Sequence, residues 1–214
     1  MKQVFQRFKD GVIFVDDVLT PACASTDVLI ETELSLISPG TEKMLIEFGR
    51  SNLIKKALSQ PDRVLEALNK VKTDGFVTTL DAINHKLNDP FAMGYCNVGN
   101  VIAVGEKVRN VKVGDRVVSN GAHAERVCVA QTMCAVVPQS VSAYDAILTP
   151  LASVGLNGIR LSGISFGGRA IVIGLGVIGR LTAELLTSCG VEVFGMDIDS
   201  CKVDVCNNLG ILSF

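Results

Sequence analysis

The stretch that decides the fold is Ala170-Ile171-Val172-Ile173-Gly174-Leu175-Gly176-Val177-Ile178-Gly179. Its apolar run is too short for a buried helix, and its glycines have the spacing G-x-G-x-x-G before an apolar helical pattern that continues to Gly190. A strand, a tight turn and a helix in this order are the context in which the glycine spacing is informative. The first glycine permits the turn, the second lets the backbone approach a pyrophosphate, and the third lets helix and strand pack closely. The stretch therefore predicts a dinucleotide phosphate site formed by Gly174, Gly176, Val177, Ile178 and Gly179.

A second predicted strand, residues 191–196, is followed by Asp197. An acidic residue about 20 positions beyond the glycines is where the ribose 2′-hydroxyl of a dinucleotide is held. The negative charge of Asp197 would repel a 2′-phosphate, and this favours NAD over NADP. The alternative interpretation of the same residues is a glycine-rich turn in another kind of α/β unit.

The composition limits the classes of protein to consider. A chain of 214 residues, 48% of them hydrophobic, can form one or two domains with a sizeable core. The formal net charge of −2 argues against nucleic acid or an anionic membrane as a partner, and the absence of Trp argues against a base-stacking surface. No apolar run is long enough to span a bilayer, and the first residues do not resemble a signal peptide. Seven cysteines without C-x-x-C spacing predict reduced thiols in a cytoplasmic protein.

The N-terminal part of the chain has the patterns of β-structure. Asp10-Gly11 lies between two apolar runs and indicates a short hairpin. Residues 27–36 alternate between apolar and polar side chains, as in a half-buried strand. The predicted apolar face of this strand comprises Val28, Ile30, Leu34 and Leu36. The strand is followed by residues 38–42, Ser-Pro-Gly-Thr-Glu, whose composition indicates a turn.

Residues 43–88 change to apolar residues at helical spacing with charged residues between them. Pro61-Asp62 starts a fresh helix, and Asp74-Gly75 interrupts the pattern before a last helical stretch. We interpret the region, at about residues 43–90, as a helical insertion whose charged face is solvated. The alternative is a lid or a partner-binding surface, and His85 within it is expected at the surface.

Short strands return after Gly94. Residues 98–104, 111–118 and 124–129 predict strands joined by glycine turns, as in a small barrel-like β domain. Residues 142–161 predict helices that lead into the glycine-rich stretch, and residues 199–209 predict one more helix closed by Gly210. The second half of the chain is therefore βαβα, the first part of a doubly wound fold that has six strands when complete.

The order of β domain, linking helices and nucleotide fold resembles the medium-chain dehydrogenase/reductases, the alcohol-dehydrogenase-like superfamily. Residues 94–105, GYCNVGNVIAVG, are similar to the family's G-H-E-x-x-G-x-V-x-x-x-G stretch. Residues 113–117, VGDRV, are similar to its P-G-D-x-V turn, and residues 173–179 with 195–199 are similar to its cofactor site. The resemblance covers most of the chain outside the insertion.

The resemblance implies an N-terminal GroES-like β domain over residues 1–140, with the helical insertion, and linking helices with a partial Rossmann NAD-binding domain over residues 141–214. The chain is most similar to a bacterial subgroup that is often found with sugar or surface-polysaccharide biosynthesis. The implied activity is that of an NAD(H)-dependent dehydrogenase for a small-molecule alcohol, polyol or sugar held in the cleft between the domains. Two further partners are considered for this chain: a second copy of itself in a homo-oligomer, or a different chain that complements it.

Zinc-using members of the family hold the metal with two cysteines and the His of G-H-E. The matching positions in this sequence are Pro39, Tyr95 and Thr149, none of which is a plausible zinc ligand. The four closely spaced cysteines of the family's structural zinc lobe are also missing after Val118. We therefore expect no metal in the site.

Without zinc another group must polarise the substrate oxygen or relay its proton. Thr41 matches the family's Ser/Thr hydroxyl relay, and Tyr95 brings a phenolic O–H to the vacated His position. The alternatives are a turn residue for Thr41 and packing or substrate contact for Tyr95. Cys96 has no evident base and is not expected to be a nucleophile. His123 could relay a proton, but as a single histidine after a β turn it is expected at the surface.

Two further residues match cofactor contacts of the family. Ser153 matches a residue that contacts the nicotinamide, and Lys202 matches a basic residue that can bond the adenosine ribose.

Only half of the nucleotide fold is recognised in the sequence, and its second strand and helix would expose apolar surface. The rival interpretation is therefore a truncated, catalytically silent remnant, or a module that another polypeptide completes. A third interpretation, a zinc-free quinone or enone reductase, would favour NADPH, which Asp197 disfavours.

Overall fold

The computed structural model describes residues 1–51 and 89–214. These residues divide into two compact units, Met1–Ala143 and Tyr144–Phe214. Most of the predicted helical insertion, together with His85, lies outside the described residues.

The first unit contains two antiparallel sheets. In the smaller sheet, the central strand β1 (Lys2–Arg7) pairs with β2 (Ile13–Asp17) and β4 (Pro90–Ala92). The larger sheet has, in spatial order, β7 (Arg126–Ala130), β3 (Asp27–Ser35), β5 (Asn97–Val104), β6 (Arg116–Ser119) and β8 (Cys134–Val136). An isolated bridge between Gln3 and Ala124 joins β1 to the chain just before β7.

The predicted hairpin at Asp10-Gly11 is confirmed, because β1 and β2 pair around it. The Asp10 carboxylate accepts a hydrogen bond from the backbone N–H of Val12 at 3.1 Å, and Gly11 has a φ of 68°, a left-handed conformation that glycine adopts without steric cost.

The core of the first unit lies on one face of the larger sheet. Its fully buried members include Val28 and Ile30 of β3, Val101 of β5 and Val117 of β6. Val28 and Ile30 of the predicted apolar face lie together in this core. Leu29 between them is also buried, so the opposite face of β3 is covered at this residue. The register with β5 shifts between Leu29 and Ile30, where Ile102 of β5 is the extra residue of a bulge.

The predicted turn at residues 38–42 is wrong, since these residues begin the helix α1 (Pro39–Arg50). Pro39 occupies the first helical position, where its fixed φ suits the helix and its missing N–H is not needed. Glu42 lies in the first turn, where a negative side chain is favoured by the helix dipole.

The predicted strand over residues 111–118 is shorter in the structure and is confined to β6. Residues 112–115 form a turn, in which Asp115 accepts a hydrogen bond from the N–H of Lys112 at 3.0 Å and Gly114 has a φ of 90°. The turn is the part of this segment that resembled the family's P-G-D-x-V motif.

The second unit is a parallel sheet with helices. After the short helix α2 (Ala143–Ala146), its elements along the chain are α3 (Thr149–Ser162), β9 (Arg169–Ile173), α4 (Val177–Ser188), β10 (Glu192–Met196), α5 (Ser200–Asn208) and β11 (Leu212–Ser213). The strands lie in the order β11-β10-β9. The predicted strand–helix–strand–helix order is confirmed, and β11 is an additional strand that the sequence reasoning missed.

Strand β11 follows from the burial of the residue before it. Gly210, with a φ of 79°, ends α5, and Ile211 then enters the core at 2% exposure. This leaves Leu212 and Ser213 beside β10, with which they pair in parallel. A strand of two residues has no alternation that a sequence pattern could reveal.

Helix α4 packs its apolar side onto this sheet. Ala183 and Leu186 are buried in one cluster with Leu175, Val193 and Cys206. Within residues 1–51 and 89–214, no helix combines the length and hydropathy that crossing a membrane requires.

Candidate functional site

The loop between β9 and α4, residues 174–179, is called the glycine loop below. Gly174 has a φ of 91°, and its N–H donates a hydrogen bond to the carbonyl oxygen of Met196 at 2.7 Å. A Cβ added to Gly179 would collide with the carbonyl oxygen of Gly174, so only glycine allows the helix to begin this close to the strand. A Cβ added to Gly176 would meet no atom of the described residues within 4 Å, so these residues leave the space beside this backbone open.

Helix α4 begins at Val177, with Gly176 as its N-cap and no side chain that caps the helix. The N–H groups of a first helical turn have no partner within the helix, and the positive end of the helix dipole lies there. An anion approaching the glycine loop would meet these N–H groups, an arrangement that suits a pyrophosphate. The glycine loop therefore fits a dinucleotide.

Asp197 follows β10 and lies against the glycine loop. Its two carboxylate oxygens accept hydrogen bonds from the N–H of Leu175 at 2.7 Å and from the N–H of Asp199 at 2.9 Å. The N–H of Asp199 and then that of Leu175, with the ammonium of Lys202 3.7 Å away, hold the pKa of Asp197 below its ordinary value. The carboxylate is therefore ionised at neutral pH.

A cavity of about 320 Å³ joins the glycine loop to Lys202. It is lined by Leu175, Gly176, Val177, Arg180, Cys201, Lys202 and Val205. The structure thus brings together Gly176, Val177 and Lys202 from the predicted cofactor residues. Ile178 follows on α4 with 41% exposure and does not line the cavity.

Ser153 is not among the residues that line this cavity. It lies on α3, and its hydroxyl donates to the carbonyl oxygen of Pro150 one turn back at 2.7 Å. Its predicted contact with a nicotinamide stays a prediction.

In the first unit, the structure brings Thr41 and Tyr95 together although 54 residues separate them in sequence. Their hydroxyl oxygens lie 3.2 Å apart, within hydrogen-bond distance, and both side chains are half-buried. Thr41 is in the first turn of α1, and Tyr95 follows Gly94, whose φ is 91°. We call these two residues the hydroxyl pair.

His123 is buried, with 8% of the residue exposed, so its predicted surface position is wrong. Its Nε2 lies 3.1 Å from a carboxylate oxygen of Glu42, and its Nδ1 lies 3.0 Å from the hydroxyl of Ser35. The other carboxylate oxygen of Glu42 accepts a hydrogen bond from the N–H of Ser38 at 2.8 Å. We call Ser35, Glu42 and His123 the buried polar cluster.

Sequence reasoning missed the buried polar cluster because its three members lie in three separate stretches of the chain. One signal was available: a Pro at the first helical position with an acid in the first turn is typical of a helix start. That pattern predicts α1 and the placement of Glu42 at its N-terminal end. It gives no information on the histidine that Glu42 meets.

Cys96 follows Tyr95 and is fully buried. Burial, and then the charge of Glu42, raise the pKa of the Cys96 thiol to about 11. The thiol is therefore protonated at neutral pH, which agrees with the expectation that Cys96 is not a nucleophile.

The donor set expected of a zinc site is not found at the three matching positions. Pro39, Tyr95 and Thr149 offer no thiolate, imidazole or carboxylate, the groups that hold structural and catalytic zinc. In the part of the chain that the structure describes, no three His, Cys, Asp or Glu side chains are grouped so that they could hold a metal ion.

The model of the alcohol dehydrogenase GroES-like domain matches residues 66–170. Alcohol dehydrogenase of Moraxella sp. (strain TAE123) is 25% identical over 206 residues, which cover 78% of this chain and 60% of that protein. D-guloside 3-dehydrogenase of Escherichia coli (strain K12) is 29% identical over 124 residues, which cover 56% of this chain and 35% of that protein.

Among solved structures, galactitol-1-phosphate dehydrogenase from Escherichia coli has a TM-score of 0.73 to this chain at 18% identity, covering 100% of this chain and 60% of that chain. This chain therefore spans at most 60% of the length of these three proteins. The predicted fold class, a GroES-like β domain followed by part of a Rossmann sheet, is confirmed.

Proposed function

Because this chain belongs to the medium-chain dehydrogenase/reductase superfamily, we propose that it acts in an NAD(H)-dependent, zinc-independent dehydrogenase of alcohols, polyols or sugars. The first unit supplies the residues that contact the substrate, and the second unit holds the cofactor. Similarity to an alcohol dehydrogenase and to D-guloside 3-dehydrogenase supports a hydroxyl-bearing small molecule as substrate.

The observation that supports this function most strongly is the contact between Asp197 and the glycine loop. Asp197 is held by the N–H of Leu175, so an ionised carboxylate lies beside the loop that fits a pyrophosphate. Each carboxylate oxygen has a further lone pair with which it can accept a hydrogen bond from a ribose hydroxyl. The same charge would repel the 2′-phosphate of NADP, so NAD is the proposed cofactor.

The residues of the glycine loop would bind the diphosphate through Gly174, Gly176, Val177, Ile178 and Gly179. The Nζ of Lys202 lies 3.7 Å from a carboxylate oxygen of Asp197 and 3.3 Å from one of Asp199. From this position it could donate a hydrogen bond to the adenosine ribose. We assign Ser153 to the nicotinamide end on the family resemblance alone. When bound, NAD supplies the acceptor or donor of a hydride.

The hydroxyl pair would handle the proton of the substrate. During alcohol oxidation the substrate hydroxyl would donate a hydrogen bond to the Tyr95 oxygen and transfer its proton to that oxygen. The Tyr95 proton passes along the 3.2 Å hydrogen bond to the Thr41 oxygen, whose own proton leaves to solvent. A group that moves a proton in this way contributes typically 10²- to 10⁴-fold to a rate, and this replaces the polarising effect that zinc has in other members.

A second function is favoured by the exposed apolar residues of the second unit. Ile171 and Ile173 of β9 are 63% and 80% exposed, and Leu212 and Phe214 are 61% and 58% exposed. Apolar patches of this kind mark surfaces that another polypeptide covers. The alternative is therefore a catalytically silent module that needs further polypeptide to complete its sheet, and a melting temperature that NAD does not raise would favour it.

The cofactor assignment is tested by replacing Asp197. We expect Asp197→Ala to weaken NAD binding about tenfold or more, because a hydrogen bond to a charged group is worth about 1.5–3 kcal/mol, while NADP binding changes less. Isothermal titration calorimetry with NAD and with NADP measures the ratio of the two affinities. Asp204→Ala, which removes an exposed carboxylate from α5, is the matched control. An unchanged ratio of NAD to NADP affinity in Asp197→Ala contradicts the assignment.

Catalysis without a metal is tested in the same preparation. Initial rates of NAD reduction with alcohols, polyols and sugars are expected to be equal before and after dialysis against a chelator. A rate that a chelator abolishes and zinc restores would contradict zinc independence.

A further inference from the structure

The imidazole of His123 lies between the two stretches of backbone that bear the hydroxyl pair. On one side it contacts Glu42, which directly follows Thr41 in the chain. On the other side it lies against Gly94, which directly precedes Tyr95. A Cβ added to Gly94 would lie 2.7 Å from three atoms of the imidazole ring.

The position of His123 is itself fixed from several directions. Its N–H donates to the carbonyl oxygen of Met93 at 2.7 Å, and its carbonyl oxygen accepts from the N–H of Val4 at 2.9 Å. Its Nδ1 is bonded to the hydroxyl of Ser35 in β3. The ring is therefore anchored to the two sheets and can hold Glu42 in turn.

Glu42 transmits this anchoring to the start of α1. One carboxylate oxygen meets His123, and the other accepts the N–H of Ser38, the residue before the helix. Both ends of the first helical turn, on which Thr41 lies, are thus held by one buried carboxylate.

Glu42 and His123 are almost fully removed from water. Their side chains are only 6% and 9% exposed. A buried polar group is costly to leave without a hydrogen-bond partner, so each side chain depends on the contact with the other. Breaking that contact is therefore expected to displace both side chains.

Two other side chains lie close to Glu42 and His123. Cys96, from the segment before β5, faces Glu42, but its raised pKa keeps it neutral. Ser35 from β3 is uncharged. Among the residues that the structure describes, His123 is the side chain that contacts the second carboxylate oxygen of Glu42.

We propose that His123 and Glu42 are positioning residues, which hold the hydroxyls of Thr41 and Tyr95 at hydrogen-bond distance. The proposal rests on the proposed function, in which the hydroxyl pair handles the substrate proton. It predicts that the hydroxyl pair separates when the buried polar cluster is broken, whether or not a substrate is known.

The sequence provides a spectroscopic reporter for this distance. The chain has no Trp and two Tyr, so Tyr144→Phe leaves Tyr95 as the only tyrosine. Tyr144 is 77% exposed, and its replacement by Phe is expected to leave the fold intact. In this background, tyrosine labelled with ¹³C at Cζ gives one NMR signal that responds to the hydrogen bond of the Tyr95 hydroxyl. Thr41→Val removes the partner hydroxyl, and the change in chemical shift that it causes is taken as the full effect of losing this hydrogen bond.

We expect His123→Phe to change the chemical shift of the Tyr95 signal by more than half of the change that Thr41→Val causes. Phe keeps a ring against Gly94 but loses the hydrogen bonds to Glu42 and Ser35. Glu42→Gln keeps an oxygen for the Ser38 N–H and removes the charge, so a smaller displacement in the same direction is expected. Gln6→Leu is the matched control, because buried Gln6 holds the middle of α1 through the carbonyl oxygen of Leu45 at 3.0 Å. It should lower the melting temperature without moving the signal.

The proposal is overturned if His123→Phe and Glu42→Gln leave the signal in place while Thr41→Val moves it. It is also overturned if Gln6→Leu moves the signal as far as His123→Phe does, or if Thr41→Val itself has no effect. Should His123→Phe fail to fold, Ser35→Ala and Glu42→Gln provide the same comparison. Turnover separates the two proposals: if Tyr95→Phe leaves turnover unchanged, the proposed function fails while the NMR result stands.

Discussion

The glycine loop and the hydroxyl pair are built in opposite ways. In the glycine loop the functional groups are backbone N–H groups, and the residues that shape them are consecutive in sequence. In the hydroxyl pair they are two side chains 54 residues apart, and the residue proposed to position them, His123, comes from yet another part of the chain and contacts Glu42. The backbone site depends on where side chains are absent, and the side-chain site depends on which side chains meet.

This difference determines what a substitution does at each site. A methyl group added to the glycine loop either collides with the backbone, as at Gly179, or enters the space where the proposed dinucleotide would lie, as at Gly176. A hydroxyl removed from the hydroxyl pair should leave the backbone unchanged and, in the proposed function, would remove one step of proton transfer. Stability and binding should therefore be coupled at some glycines, and chemistry should be separable from stability at the hydroxyl pair.

The largest effect is expected at Gly179. Its Cβ would collide with the carbonyl oxygen of Gly174, and neither backbone segment can move without opening the contact between β9 and α4. Gly179→Ala should lower the free energy of unfolding by about 1–3 kcal/mol, as other overpacking substitutions do, and should abolish NAD binding. Calorimetric melting and titration with NAD measure the two effects.

Gly176→Ala is the control for that substitution. Within residues 1–51 and 89–214, a Cβ at Gly176 meets nothing closer than 4 Å, and the φ of −64° is accessible to alanine. The melting temperature should stay the same, and only NAD affinity should fall. Equal loss of stability in both variants would show that the two glycines do not differ in the way proposed.

The next effect is expected at Tyr95. Tyr95→Phe keeps the ring and removes the hydroxyl, and Thr41→Val keeps the shape and removes the partner. Each should lower kcat about 10²-fold or more, the contribution of a positioned proton-transfer group, with the melting temperature and NAD affinity unchanged. Initial rates with a hydroxyl substrate under saturating NAD measure kcat. A fall in NAD affinity equal to the fall in kcat would indicate a structural role instead.

The same contrast explains how much of the molecule could be predicted from sequence. The second unit follows from local rules: a short apolar run, glycines at fixed spacing, a helical pattern and an acid at the end of the next strand are all neighbours in the chain. Strand β11 was not predicted, because it has only two residues and its position depends on the burial of Ile211 in the core.

The first unit follows from local rules only as far as its strands. Thr41 and Tyr95 were each singled out as candidate site residues, and this stays a prediction; their contact could not be predicted, because it depends on the pairing of β3, which precedes α1, with β5. His123 was expected at the surface because a histidine beside a glycine turn is locally indistinguishable from an exposed one. It is buried among residues from distant parts of the chain, Ser35, Glu42 and Gly94, and the helix start that bears Glu42 was predicted as a turn.

The smallest effect is expected from thiol alkylation, which compares the two sites in one experiment. With iodoacetamide at pH 8, the exposed thiols of Cys189 and Cys201 should react, whereas Cys96, with a pKa of about 11, should not. Only about a thousandth of the Cys96 thiol is then ionised, and the thiolate is the reactive form.

Because Cys201 lines the cavity beside Gly176, NAD should slow its alkylation, while Cys189 serves as the unprotected control. Peptide mass spectrometry resolves the three sites. Rapid labelling of Cys96 would mean that the segment bearing Tyr95 opens to solvent, and equal protection of Cys189 and Cys201 would mean that NAD does not occupy this cavity.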